Sequence, residues 1–93
     1  MTTKYPPRIE FDVGKNAGNL AKHGMDLSQA VAFEMNLARV SRDERRVYGE
    51  DRFIAVGPLE GRTCVLIFTV RHGVIRVISL RKANRREVRG YET

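Results

Sequence analysis

The chain is poor in the residues that most often announce a chemistry. Cys64 is the one cysteine among 93 residues, which excludes an internal disulfide and a thiolate cluster for a metal. Its neighbours, Val65-Leu66-Ile67-Phe68, mark it as a core residue. The two histidines, His23 and His72, stand apart, and no carboxylates are spaced as a ligand set. No metal and no other cofactor is therefore expected. A Ser-His-Asp signature is missing, as is a glycine-rich loop before a helix that could cradle a nucleotide. No apolar stretch approaches the roughly 20 residues a membrane helix needs, and residues 1–7 lack the apolar run of a secretory leader. The expectation is a cytoplasmic protein without membrane contact.

Acid is also in short supply. Lysine and arginine number 17 against 11 for aspartate and glutamate, a formal charge of +6. That balance draws anionic partners by long-range attraction and counterion release. Nucleic acid is the first candidate, an acidic protein fits the charge equally, and a merely solubilising surface is the plain alternative. The hydrophobic fraction of 42% supports one modest core. Residues 8–93 thus read as a single domain, and residues 1–7, stopped by Pro6-Pro7, as a flexible lead-in.

What is present is well ordered along the chain. Ile9-Glu10-Phe11 alternates as a short strand does. Asp12 suits the N-cap of a helix running to about His23, and Gly24 suits its end. Within it Val13, Ala17, Leu20 and Ala21 share one side, with Lys15, Asn19 and Lys22 on the other, the pattern of an amphipathic helix. Asp26 and Gln29 form a capping box for a second helix that buries Leu27, Ala30 and Val31 and ends between Phe33 and Asn36. A weak strand over 37–41 and a charged loop over 42–51 follow. Residues 52–59, 62–70 and 74–80 are rich in Val, Ile and Phe and are bounded by the turn pairs Glu60-Gly61 and His72-Gly73. They predict a three-stranded meander. Residues 83–91 return to helical composition, anchored by Val88 and Tyr91. The fold class is α+β: a small antiparallel sheet, the meander plus shorter strands, packed with helices.

Four groups of residues are chemically suggestive. Lys22-His23-Gly24 ends the first helix, where the pair either binds a phosphate and moves a proton or simply complements the helix dipole. Arg76 interrupts an apolar strand and Arg81 ends it; neither has an apparent core role. Strict alternation sends them to opposite faces, and they converge only if the strand ends or bulges before Arg81. In the closing basic segment, a helix would align Arg81, Arg85 and Arg89 in one row and Lys82 and Arg86 in another, two tracks for a phosphate backbone or two solvated rows. In Tyr48-Gly49-Glu50-Asp51-Arg52, Glu50 is a candidate base and Arg52 a candidate phosphate ligand, although loops are also where unpaired charges normally sit.

Taken together these pieces resemble the BrnT family of toxins. The resemblance runs from Ile9 onward and is carried by Phe11-Asp12, Lys15, Asn19, Lys22-His23-Gly24, Ala30, Phe33, Tyr48-Gly49-Glu50-Asp51-Arg52, Gly57, Arg76-Val77-Ile78-Ser79-Leu80-Arg81-Lys82-Ala83, Glu87 and Tyr91. It implies a RelE-like fold, metal-free RNA cleavage, neutralisation by a BrnA antitoxin with a ribbon-helix-helix part, and operator DNA reached only through the toxin–antitoxin complex. Phe11 stands where the family commonly has tryptophan, Glu34-Met35-Asn36 departs from its usual acidic segment, and Leu80 replaces a small residue. On this reading Lys22, His23, Glu50, Arg52, Arg76 and Arg81 carry the cleavage, and Lys15, Lys82, Arg85, Arg86 and Arg89 hold RNA. A non-catalytic module that binds nucleic acid or ribosomes, and a degenerate toxin that binds only its antitoxin, are the competing expectations.

Overall fold

The computed structural model describes residues 8–45 and 47–93; the lead-in expected over residues 1–7 lies outside them. The elements in chain order are β1 (Ile9–Phe11), α1 (Val13–His23), two 3₁₀ turns (Leu27–Ala32 and Met35–Leu37), β2 (Arg39–Arg42), β3 (Phe53–Leu59), β4 (Arg62–Arg71), β5 (Val74–Lys82) and α2 (Arg85–Glu92). The strands form one five-stranded sheet in the order β1-β5-β4-β3-β2.

The sheet is mixed, where an antiparallel one was expected. β2, β3, β4 and β5 pair antiparallel with their neighbours, but β1 runs parallel to β5 through Ile9↔Ile75, Glu10↔Arg76 and Phe11↔Val77. Three alternating residues carry no information about strand direction; that is settled by the open edge of β5 on which they land. The β3–β4 and β4–β5 turns place Glu60-Gly61 and His72-Gly73 at positive φ, the backbone of a tight hairpin turn whose twist matches its strands.

One face of the sheet carries the core. Ala55 and Leu59 of β3, Cys64, Leu66 and Phe68 of β4, and Val77 and Leu80 of β5 pack with Met25, Leu27, Ala30 and Phe33. Burial pushes the Cys64 thiol up, which keeps it protonated and unreactive. Gly57 is required by close approach, since a Cβ there would lie 2.8 Å from the Ala38 side chain. The segment after Asp26 forms its capping box as expected but continues as short 3₁₀ turns and not as a helix through Phe33. Leu27 and Ala30 are buried, whereas Val31 is half exposed, because a three-residue turn does not keep the third apolar residue inward.

The first helix inverts its expected orientation. Asp12 caps it by accepting from the Lys15 N–H, and Gly24 ends it at φ 69. The side that packs inward, however, carries Asn16, Asn19 and His23, with Asn19 only 8% exposed, while Val13 is 79% and Leu20 48% exposed. The cause lies in β5. β1 pairs only with Ile75–Val77, so farther along β5 the outer edge has no strand. The Asn19 side chain takes that place: Nδ2 donates to Leu80 O at 2.8 Å and to Met25 O at 2.8 Å, and Oδ1 accepts from Leu80 N–H at 3.2 Å. A buried strand edge needs donors and acceptors more than it needs apolar area, so an amide goes in and the apolar stripe stays out.

Candidate functional site

The face of the sheet opposite the core collects guanidinium groups. By strict alternation Arg76 and Arg81 would diverge, but β5 holds a bulge. Ile67 pairs with Ser79 and Phe68 with Val77, leaving Ile78 as an extra residue. One extra residue reverses the alternation beyond it. Val77 and Leu80 therefore both face the core, and Arg76 and Arg81 both face away from it. Leu80, the family departure nearest the arginines, is wholly buried on the core side and leaves their face unobstructed. Arg71 of β4 lies in the same alternating set as Val65, which pairs with Arg81, and as Thr69, which pairs with Arg76.

Helix α2 covers one end of this face. Arg81 Nη1 and Nη2 donate to the two Glu87 carboxylate oxygens at 2.7 and 2.8 Å, and Glu87 itself closes the capping box of α2 with Asn84. At the far end Arg39 donates to Gly90 O and Thr93 O, and Tyr91 donates to Leu37 O. Val65 is buried between these attachments. Arg81 thus has an ion-pair partner on the face opposite the core, and its pairing lowers the Glu87 carboxyl below the usual range. The expected helical rows through Arg81 and Lys82 do not form, because both residues belong to β5 and the helix begins at Arg85. Arg85, Arg86 and Arg89 are exposed on α2, as are Lys82 at the end of β5 and Lys15 on α1.

The loop between β2 and β3 borders the other end. Glu50 accepts from Arg71 at 2.7 Å and lies 3.8 Å from Arg52. The Arg71 hydrogen bonds, with the charges of Arg52 and Arg76 adding to them, hold the Glu50 carboxyl below its ordinary value against the opposing effect of burial. Arg52 rests on the Tyr48 ring, 4.1 Å from its centroid, and its buried Nε has no hydrogen bond among the described residues. Arg76 reaches Glu10 at 3.3 Å. An open pocket in the loop is lined by Asp43, Tyr48, Glu50 and Arg52, among others.

His23 lies at the opposite end of β5. Partial burial, then the charges of Lys22 and Arg81, push its imidazole toward the neutral form. The fold therefore brings Glu50, Arg52 and Arg76 together at one end of the strand, and Lys22, His23 and Arg81 at the other. Parallel to this, Arg45 of the loop is close enough to Arg81 for their charges to repel. Sequence reasoning missed Arg71, Arg45 and Asp43. The first sits at a strand end next to a turn, and the others sit in a charge run with no apolar period; the usable signal was that Asp43 and Arg45 are two apart, the spacing of a local turn.

Among the described residues no three His, Cys, Asp or Glu side chains come together as a metal would need, and no helix is long and apolar enough to cross a membrane. The arrangement can grip a phosphate from several sides, with fork-shaped donors suited to its oxygens, and at its two ends stand a carboxyl held below its ordinary value and an imidazole pushed toward the neutral form. No curated protein matches the chain. A family model described as the ribonuclease toxin, BrnT, of type II toxin–antitoxin systems matches residues 11–87. That span takes in both ends of β5, the Glu50–Arg52 loop and Glu87, and the chain belongs to the BrnT family of ribonuclease toxins.

Proposed function

We propose that this protein is an endoribonuclease that works in the bacterial cytoplasm, cleaves RNA without a metal, and thereby inhibits translation until a BrnA-like ribbon-helix-helix antitoxin neutralises it. Operator DNA is reached through that antitoxin. The observation that carries the reading is the bulge at Ile78, which turns Arg76 and Arg81 to one face of the sheet beside Arg52, Arg71 and Glu50.

Cleavage of RNA by its own 2′-hydroxyl requires a group to take that proton, positive charge on the pentavalent phosphate, and a proton for the leaving 5′-oxygen. Arg52, Arg76 and Arg81 supply the charge. His23 is the favoured proton carrier, because partial burial, and then the charges of Lys22 and Arg81, hold its imidazole toward the neutral form. Glu50 is the second candidate, a weaker base since Arg71 stabilises its ionised form. Lys22 adds charge at the His23 end. Exposed Lys15, Lys82, Arg85, Arg86 and Arg89 extend the positive surface along which a phosphate backbone can lie. Like the RelE-like fold suggested by the sequence, this scheme would let positioning and electrostatics do most of the catalysis.

The test is initial cleavage rate on a short RNA, with and without a chelator, for wild type, Arg76→Ala and Arg76→Lys. Cleavage should survive chelation. Arg76→Ala should cost about two orders of magnitude in rate, as loss of a preorganised charge donor does, while its stability stays within roughly 0.5 kcal/mol because its ion pair is solvated. Arg76→Lys should recover RNA binding better than rate, since an ammonium lacks the fork. Full activity in Arg76→Ala would overturn the site, and RNA binding without cleavage by the wild type would favour the binding-module reading.

A further inference from the structure

Asp43 is the one charged side chain buried among the described residues, at 4% exposure, and neither the cleavage chemistry nor the core uses it. Its carboxylate accepts from Arg45 Nε at 2.8 Å, from Arg45 Nη2 at 2.7 Å and from the Tyr48 hydroxyl at 3.1 Å. Its backbone N–H donates to Arg52 O at 2.7 Å. These bonds, chiefly those from Arg45, hold the Asp43 carboxyl far below the usual carboxylate range.

The pair has one buried partner, Asp43, and one largely exposed, Arg45, and it adds little net stability, because desolvation of the carboxylate and solvent screening of the guanidinium cancel most of the attraction. What it does supply is geometry. Asp43 grips Tyr48 by its hydroxyl, and the Tyr48 ring is the surface on which the Arg52 guanidinium lies. Through Arg45 the same carboxylate holds a second guanidinium near Arg81. The other end of the loop is tied by Thr69, also buried, whose hydroxyl donates to Asp51 O at 2.6 Å. Among the described residues the one carboxylate that reaches the Arg52 side chain is Glu50, and it is 3.8 Å away.

We propose that Asp43 is a positioning residue of the RNA-cleaving site, setting Tyr48 and Arg45 so that Arg52 is presented to the phosphate on the face that carries Arg76 and Arg81. The proposal rests on the ribonuclease reading for its consequence in rate, but its geometric part is separately measurable. A guanidinium stacked on a phenol ring has side-chain protons shifted by the ring current, which gives Arg52 a spectroscopic signature.

The experiment compares Asp43→Asn, Tyr48→Phe, Arg52→Ala and the double variant Asp43→Asn with Arg52→Ala in the full chain. Asp43→Asn should lose the ring-current shift of the Arg52 side chain. It should lower kcat on a short RNA by roughly tenfold to a hundredfold while KM moves by less than about threefold, the pattern of a misplaced transition-state donor. In the double variant the loss should equal that of Arg52→Ala alone, because Asp43 acts through Arg52. Should Asp43→Asn fail to fold, Tyr48→Phe, which keeps the ring and removes the hydroxyl that Asp43 holds, should show the same losses in smaller measure. An unchanged Arg52 spectrum, or additive losses in the double variant, would overturn the proposal. Wild-type protein that leaves RNA intact would defeat the ribonuclease reading, and the Arg52 spectrum of Asp43→Asn would still support or overturn the positioning by Asp43.

Discussion

The two faces of the sheet share the same strands and are held by different forces. On one, Leu66, Phe68, Val77 and Leu80 meet Leu27, Ala30 and Phe33 in a dry interior, where stability follows area removed from water and the fit of side chains. On the other, Arg71, Arg76 and Arg81 are each matched to a carboxylate, Glu50, Glu10 and Glu87, and all of these side chains keep a quarter or more of their surface in solvent. Ion pairs of that kind add little to stability. The lesson is a division of labour: the apolar face can lose no volume cheaply, whereas the charged face can exchange a charge at small structural cost and is free to be selected for chemistry.

The division can be tested hardest at Leu66, which is almost wholly buried. Leu66→Ala should destabilise the fold by about 2–5 kcal/mol, the cost of lost transfer free energy plus the cavity left behind. RNA cleavage per folded molecule should be unchanged. Urea unfolding with activity measured below the transition decides it, and a specific loss of activity without loss of stability would show that the faces are not separable.

Asn19 should give the next largest effect, because it lies on neither face but closes the edge between them. Asn19→Ala leaves Leu80 N–H, Leu80 O and Met25 O without their partner, and unsatisfied buried groups cost on the order of 1–3 kcal/mol. A midpoint shift in urea unfolding would register it. If Asn19→Ala proves as stable as wild type, water has taken the amide's place and the inverted helix needs another explanation.

The smallest effect near neutrality belongs to the carboxylates of the charged face. Glu50 and Glu87 titrate below their ordinary values in the folded chain, through hydrogen bonds from Arg71 and Arg81 respectively. A carboxylate depressed on folding contributes stability that is complete above its unfolded pKa, roughly pH 4, and is lost as the pH falls through the folded value. The melting temperature should therefore be flat near neutrality and decline in acid, and Glu87→Gln should make that decline shallower. A decline of equal slope in Glu87→Gln would remove the Arg81–Glu87 pair from the account.

Local rules made much of the molecule legible. The strands between Arg52 and Leu80 were visible because period-two apolar patterns and turn pairs coincide there, and the caps at Asp12, Gly24 and Asp26 lie where short-range hydrogen bonding puts them. Arg52, Glu50, Arg76, Arg81 and His23 could be picked out as chemically odd for their surroundings. Their grouping could not, since it depends on one inserted residue in β5 and on a loop with no apolar period.

What the sequence determined by itself was the local: which segments extend, where the first helix begins and ends, and that basic residues outnumber acidic ones. What the tertiary structure alone decided was orientation. Asn19 turned inward because β1 is too short to cover the β5 edge, Arg76 and Arg81 came to one face because Ile78 bulges, and Asp43 was buried because Arg45 and Tyr48 close over it. Each outcome is set by a partner distant in the chain or by an interruption of a period, and a local pattern contains neither.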